Sequence, residues 1–142
     1  MGKINLGRVI LGGVVAGIII DIFEFFLNGI VLRTQWEAVN AAHNIPMWGQ
    51  NEIIAYNLMG IAMGIVAVWT YAAIRPRFGA GVKTAVYAAL LMWVTLYVLM
   101  DVSPLLTGMF PLSLVEMMVG VGLIEIIVAT VAGAWLYKEA DA

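Results

Sequence analysis

Four apolar runs, each long enough to cross a lipid bilayer, constrain this chain more than any other feature. A hydrocarbon core about 30 Å thick takes roughly 20 residues of helix at a rise of about 1.5 Å each. The first run, from Val9 to about Leu32, is interrupted only by Asp21, Glu24 and Asn28. Within hydrocarbon each backbone amide must be satisfied inside its own segment, which leaves helix as the form for every run. The spans are read as residues 6–32, 53–74, 82–102 and 113–137, with a polar outer loop over 33–52. They predict an all-α, integral membrane bundle of four transmembrane helices, a single transmembrane domain over 1–142. Composition agrees, since 63% of the residues are hydrophobic and 11% charged, against about a quarter charged in a soluble domain. The lipid bilayer is therefore the first partner. The N-terminal run is too long for a signal-peptide core and no small-x-small cleavage site follows it, so it is read as a retained span.

Basic residues set the expected orientation. Lys3, Arg8, Arg75, Arg77, Lys83 and Lys138 flank one side of the spans and Arg33 alone the other. By the positive-inside rule the N- and C-termini and the second loop are cytoplasmic, which for a bacterial chain means the inner membrane. Trp69, Tyr71, Trp135 and Tyr137 suit the same headgroup level, and Trp36 and Trp48 the opposite one. The repeated Trp-x-Tyr hints at two parallel helical hairpins. Arg75-Pro76-Arg77 is expected to stop span two, and Ser103-Pro104 to break or kink span three. Ser113 and Glu116 have capping-box spacing at the start of span four. The segment 34–44 is either a short surface helix, with Trp36 and Val39 facing lipid, or an ordered loop; Asn44-Ile45-Pro46 would end it.

The most informative residues are polar ones inside the spans. Asp21, Glu24 and Asn28 share a face of span one, continued by Gly13 and Gly17. Gly122, Glu125, Ala129 and Gly133 form a narrow stripe on span four, and Gly60 and Gly64 a small-residue step on span two with Asn57 one turn earlier. Gly13, Gly17, Gly60, Gly64, Gly122 and Gly133 thus mark close helix packing. Counting rise from the span ends puts Asp21, Glu24 and Glu125 in the middle to outer part of the bilayer, where they can meet. Asn28, Glu52, Asn57 and Asp101 lie nearer the outer surface, as if lining a cavity open to that side. No Lys or Arg lies deep enough to neutralise these acids. Asp21, Glu24, Glu125 and Asn28 are then either a proton or cation site or a set of hydrogen bonds between helices.

Several function classes are disfavoured. There is no cysteine, one histidine (His43), no basic run and a net charge of −2, so no metal, thiol chemistry or nucleic acid is expected. No nucleophile, phosphate-loop or zinc-protease motif occurs, which argues for no enzyme. The methionines are scattered as packing residues are.

The stretches from Gly7 to Gly13, Ala67 to Gly79, Glu24 to Gly29 with Trp36, and Gly133 to Tyr137 resemble a group of bacterial four-span membrane proteins of about this length. A more distant similarity, on topology alone, is to the DUF1761 proteins. Both resemblances imply the four-span fold and neither implies an activity. The leading expectation is a non-enzymatic integral membrane protein, an assembly or accessory subunit that forms a homo-oligomer or joins a larger membrane complex through its glycine-lined faces. The alternative is a small proton- or cation-linked transporter or channel. A second alternative is a cofactor-binding subunit of a bioenergetic complex with Trp93 and Tyr97 as an apolar wall; no cofactor is otherwise expected.

Overall fold

The computed structural model describes residues 3–139, and every regular element among them is a helix. Helix α1, Leu6–Phe26, is capped by Asn5, whose side chain accepts from the Arg8 amide at 3.2 Å. It runs on through a π turn, Leu27–Val31, directly into the short helix α2, Arg33–Ala42. Helix α3, Gln50–Phe78, is the longest. The third span is built from α4, Val82–Trp93, a second π turn, Val94–Val98, and α5, Leu99–Leu106; α6, Leu112–Trp135, is the fourth. Four of these stretches, Leu6–Val31, Gln50–Phe78, Val82–Leu106 and Leu112–Trp135, are long and apolar enough to cross a membrane. Large apolar side chains such as Phe25, Leu58, Leu91 and Leu99 point outward along them, which fits a hydrocarbon solvent and makes this a multi-pass membrane protein.

The helices meet by backbone approach. Gly13 and Gly17 of α1 lie against Ile65 and Ile61 of α3, and Gly64 sits on the backbone of Gly13 and Gly17. A Cβ at Gly13 would stand 2.5 Å from Ile65 Cα, and one at Gly133 of α6 would stand 2.6 Å from the Gly12 carbonyl oxygen. Only hydrogen fits at such positions, and the gain is dispersion between surfaces that lipid cannot fill as well. Ala16, Ala67, Ala72, Ala85, Ala88, Ala89 and Ala129 extend this small-residue core across α1, α3, α4 and α6. The glycine faces are thus spent inside the chain. Self-association through them, as expected from the sequence, has no free glycine surface in this fold.

The repeated Trp-x-Tyr divides between two faces, because residues two apart point in opposite directions. Trp69 and Trp135 are 49% and 86% exposed, while Tyr71 and Tyr137 are 4% and 5% exposed. The two tyrosine rings meet edge-on at 5.9 Å, Arg75 lies over the Tyr137 ring at 5.5 Å, and the Gly81 amide donates to the Tyr71 hydroxyl at 3.2 Å. Together they fasten the end of the bundle that carries the termini.

Four local expectations need correction. Pro76 does not stop its helix; α3 runs to Phe78 and ends at Gly79, whose φ of 85° suits glycine and whose amide bonds Arg75. Near a helix C-terminus proline forfeits one amide and interrupts nothing beyond it. Likewise Pro104 lies within α5, and its carbonyl collects the amides of Met109 and Phe110 at 2.9 and 3.2 Å around Gly108. The Ser113 and Glu116 box does not form: α6 starts one residue earlier, and the Ser113 hydroxyl bonds Gln35 at 3.1 Å. The cap arises instead at α3, where Glu52 accepts from the Gly49 amide at 2.9 Å. Finally, 34–44 does give a helix, α2, but Trp36 and Val39 turn inward onto Leu27, Leu32 and Leu114. The π turn swings α2 straight over the bundle end, where its apolar face finds protein before lipid.

Replacing Gly64 by alanine should lower the unfolding midpoint in detergent markedly, since overpacking against backbone costs about 1–3 kcal/mol or more. Gly120→Ala, where a Cβ meets nothing within 4 Å, should leave the midpoint unchanged or slightly raised.

Candidate functional site

Where α1, α2, α6 and the third span converge, five polar residues line up. The indole of Trp36 donates to Asn28 Oδ1 at 2.8 Å. Since an indole can only donate, this bond fixes the amide with its NH2 turned the other way, and Asn28 Nδ2 donates to Glu24 Oε2. From the opposite side the Tyr97 hydroxyl donates to Glu125 Oε1 at 2.6 Å in a buried bond. The carboxyl groups of Glu24 and Glu125 are near enough to interact electrostatically. The order is Trp36, Asn28, Glu24, Glu125, Tyr97, and every hydrogen points toward the two acids.

That polarity has a chemical consequence at the centre. Two ionised carboxylates have no hydrogen between them, and Glu125 Oε2, on a side chain 0% exposed, has no partner among the described residues. Leaving a buried acceptor unpaired is costly, and two adjacent anions in low dielectric more so. One proton held between Glu24 and Glu125 would supply the missing donor and remove one charge.

Both π turns serve this site. Asn28 lies in the first and Tyr97 in the second. A π turn fits one extra residue into a helix and re-aims the side chains around it, which is why such turns gather at functional positions. Gly122 is shaped to the same end, because a Cβ there would run into the Tyr97 ring. Gly60 does the equivalent for Asp21, whose Oδ1 occupies the space a side chain would take.

Of the four residues singled out in the sequence, Glu24, Glu125 and Asn28 come together. Asp21 stands one turn away against Gly60, close enough to feel Glu24 and Glu125 but outside the hydrogen-bonded chain. Asp101, half-buried on α5, lies close enough to interact electrostatically with Glu24 and Tyr97. Tyr97, expected as an apolar wall, is a hydrogen-bond donor instead, and the Trp93 indole is tied to the Val119 carbonyl at 2.8 Å. The roles of Tyr97 and Trp36 escaped sequence reasoning, which did place Asp101 among the polar residues toward the outer side. The one available signal was Tyr97 four residues before Asp101 in an otherwise apolar span. Asn57 lies apart, bonded to the Ile53 carbonyl at 2.8 Å, and His43 lies exposed at the end of α2. Among the described residues no group of three or more His, Cys, Asp or Glu side chains is arranged to hold a metal ion.

No protein-family model, curated protein or solved structure matches this chain.

Tyr97→Phe deletes the hydroxyl and leaves Glu125 Oε1 without its donor, so unfolding by denaturing detergent should shift by about 1–3 kcal/mol. An unchanged transition would show that the bond carries no weight.

Proposed function

We propose that this chain is a small proton-linked transporter or channel of the cell inner membrane, with the Glu24 and Glu125 pair as its proton site. The observation that carries this reading is Glu125 itself: a fully buried acid against a second acid, with one oxygen lacking a donor that a proton would provide. Intramembrane ionisable groups facing a bundle interior are the usual carriers of protons through membranes. Tyr97 and Asn28 orient the two carboxyl groups, and Asp21 and Asp101 keep the approach from the α2 end acidic. Lys3, Arg8, Arg75, Arg77, Lys83 and Lys138, at the other end, face the cytoplasm, so protons reach the pair from outside.

A second role, as an accessory subunit of a larger membrane complex, is favoured by one feature. The half of α3 from Gln50 to Met59 is exposed on all sides, a face that a partner helix would cover. The glycines, already paired within the chain, are not the means of that association.

In liposomes loaded with a pH-sensitive dye, a potassium diffusion potential, negative inside, should drive acidification when the wild-type protein is present. Glu24→Gln and Glu125→Gln, which keep shape but cannot exchange the proton, should fall to the rate of protein-free vesicles. Equal rates in wild-type and Glu125→Gln vesicles would overturn the proposal.

A further inference from the structure

At the end of the bundle that carries the termini, the ends of α3, α4 and α6 border a cavity of about 310 Å³. Arg75, Tyr71 and Tyr137 give it polar walls, and Ala85, Val131 and Trp135 apolar ones. Ala85 and Val131 lie about a turn or more inside their helices, so the apolar wall leads from the loop level toward the hydrocarbon. The guanidinium of Arg75 is incompletely satisfied. It lies over the Tyr137 ring, and its Nε stands 3.8 Å from Glu139 Oε1, beyond hydrogen-bond length. Its Nη1 is buried and has no acceptor among the described residues. The Tyr71 hydroxyl oxygen accepts from the Gly81 amide, which leaves the phenolic hydrogen for a further acceptor.

We infer that this cavity binds the phosphate of an anionic phospholipid, held by Arg75, with the start of an acyl chain against Ala85 and Val131. The inference does not rest on the proton site, none of whose residues lines this cavity. A buried guanidinium nitrogen without an acceptor is costly, and the planar fork of arginine matches the oxygens of a phosphate. Glu139 leaves that nitrogen unpaired, so the acceptor must come from outside the described chain. The apolar wall and the exposed Trp135 ring at the rim favour a lipid over a soluble anion, because indoles of this kind stand at headgroup level and a soluble phosphate gains nothing from methyl groups. Arg77 and Lys83, exposed in the same loop region, add positive charge around the entrance. Basic pockets between spans at this level are suited to acidic headgroups.

The test is native mass spectrometry of the full chain released from neutral detergent micelles, titrated with phosphatidylglycerol or with phosphatidylcholine of the same acyl chains. Phosphatidylglycerol should fill one saturable site and phosphatidylcholine should bind more weakly. Arg75→Gln should weaken phosphatidylglycerol binding by about tenfold, the loss of one charge-assisted bond. Arg77→Gln, outside the cavity lining, should weaken it less. Equal affinity for the two lipids, or equal losses in Arg75→Gln and Arg77→Gln, would overturn the inference. So would displacement of the lipid by millimolar inorganic phosphate, which would mark a site for a soluble anion. If Arg75→Gln fails to fold, Val82→Trp decides: Val82 is exposed and lines the cavity, and an indole there should fill the space and reduce binding. Undiminished binding in Val82→Trp would place the lipid elsewhere and end the proposal.

Discussion

Backbone contact between α1 and its neighbours is the interaction on which the rest of the molecule depends. In hydrocarbon no hydrophobic effect draws helices together, so they must fit one another better than lipid fits either. Gly12, Gly13 and Gly17 let α3 and α6 come to within touching distance of the α1 backbone. Because the glycines lie toward the termini, the helices are closest there and diverge toward α2. Among the described residues, the acids of the bundle interior lie toward the end where these contacts loosen. Asp21 finds its room against Gly60 of α3, where no side chain stands in its way.

Polar groups in this setting cannot borrow partners from water, and the site shows how they are supplied instead. Trp36 donates to Asn28, which donates to Glu24, and Tyr97 donates to Glu125, so the hydrogen bonds tie α2 to the first span and the third span to α6. Folding and chemistry are coupled by this arrangement. The acids of the candidate site also accept the hydrogen bonds that link neighbouring elements.

Hydropathy alone located the four spans, because roughly twenty apolar residues have no other stable form in a bilayer. The stripe of Asp21, Glu24 and Asn28, and the matching depth of Glu125, followed from helical periodicity and rise. What periodicity cannot show is which faces meet. Gly60 and Gly64 announce a close contact, but only the fold reveals that the contact is with α1 of the same chain rather than a second copy. The bond from Tyr97 to Glu125 spans 28 residues, and nothing local marks it. Pro76 and Pro104 misled for a physical reason: a proline near a helix end breaks little, and the glycines just beyond, Gly79 and Gly108, carry the actual reversal with φ of 85° and 74°. The π turns have no sequence signature, being imposed by packing on either side.

Those two turns mean that neither the first span nor the third is one continuous rod. An extra residue at Leu27–Val31 or Val94–Val98 advances everything downstream by about 100° around the helix axis. The phase of Asp101 is thereby decoupled from that of the alanines in α4, and the phase of α2 from that of the glycines in α1. Each span is in effect two half-helices with independent settings. The halves Leu6–Phe26 and Val82–Trp93 can be tuned for tight fit and the halves beyond the π turns for the placement of charge, without a change in one disturbing the alignment of the other.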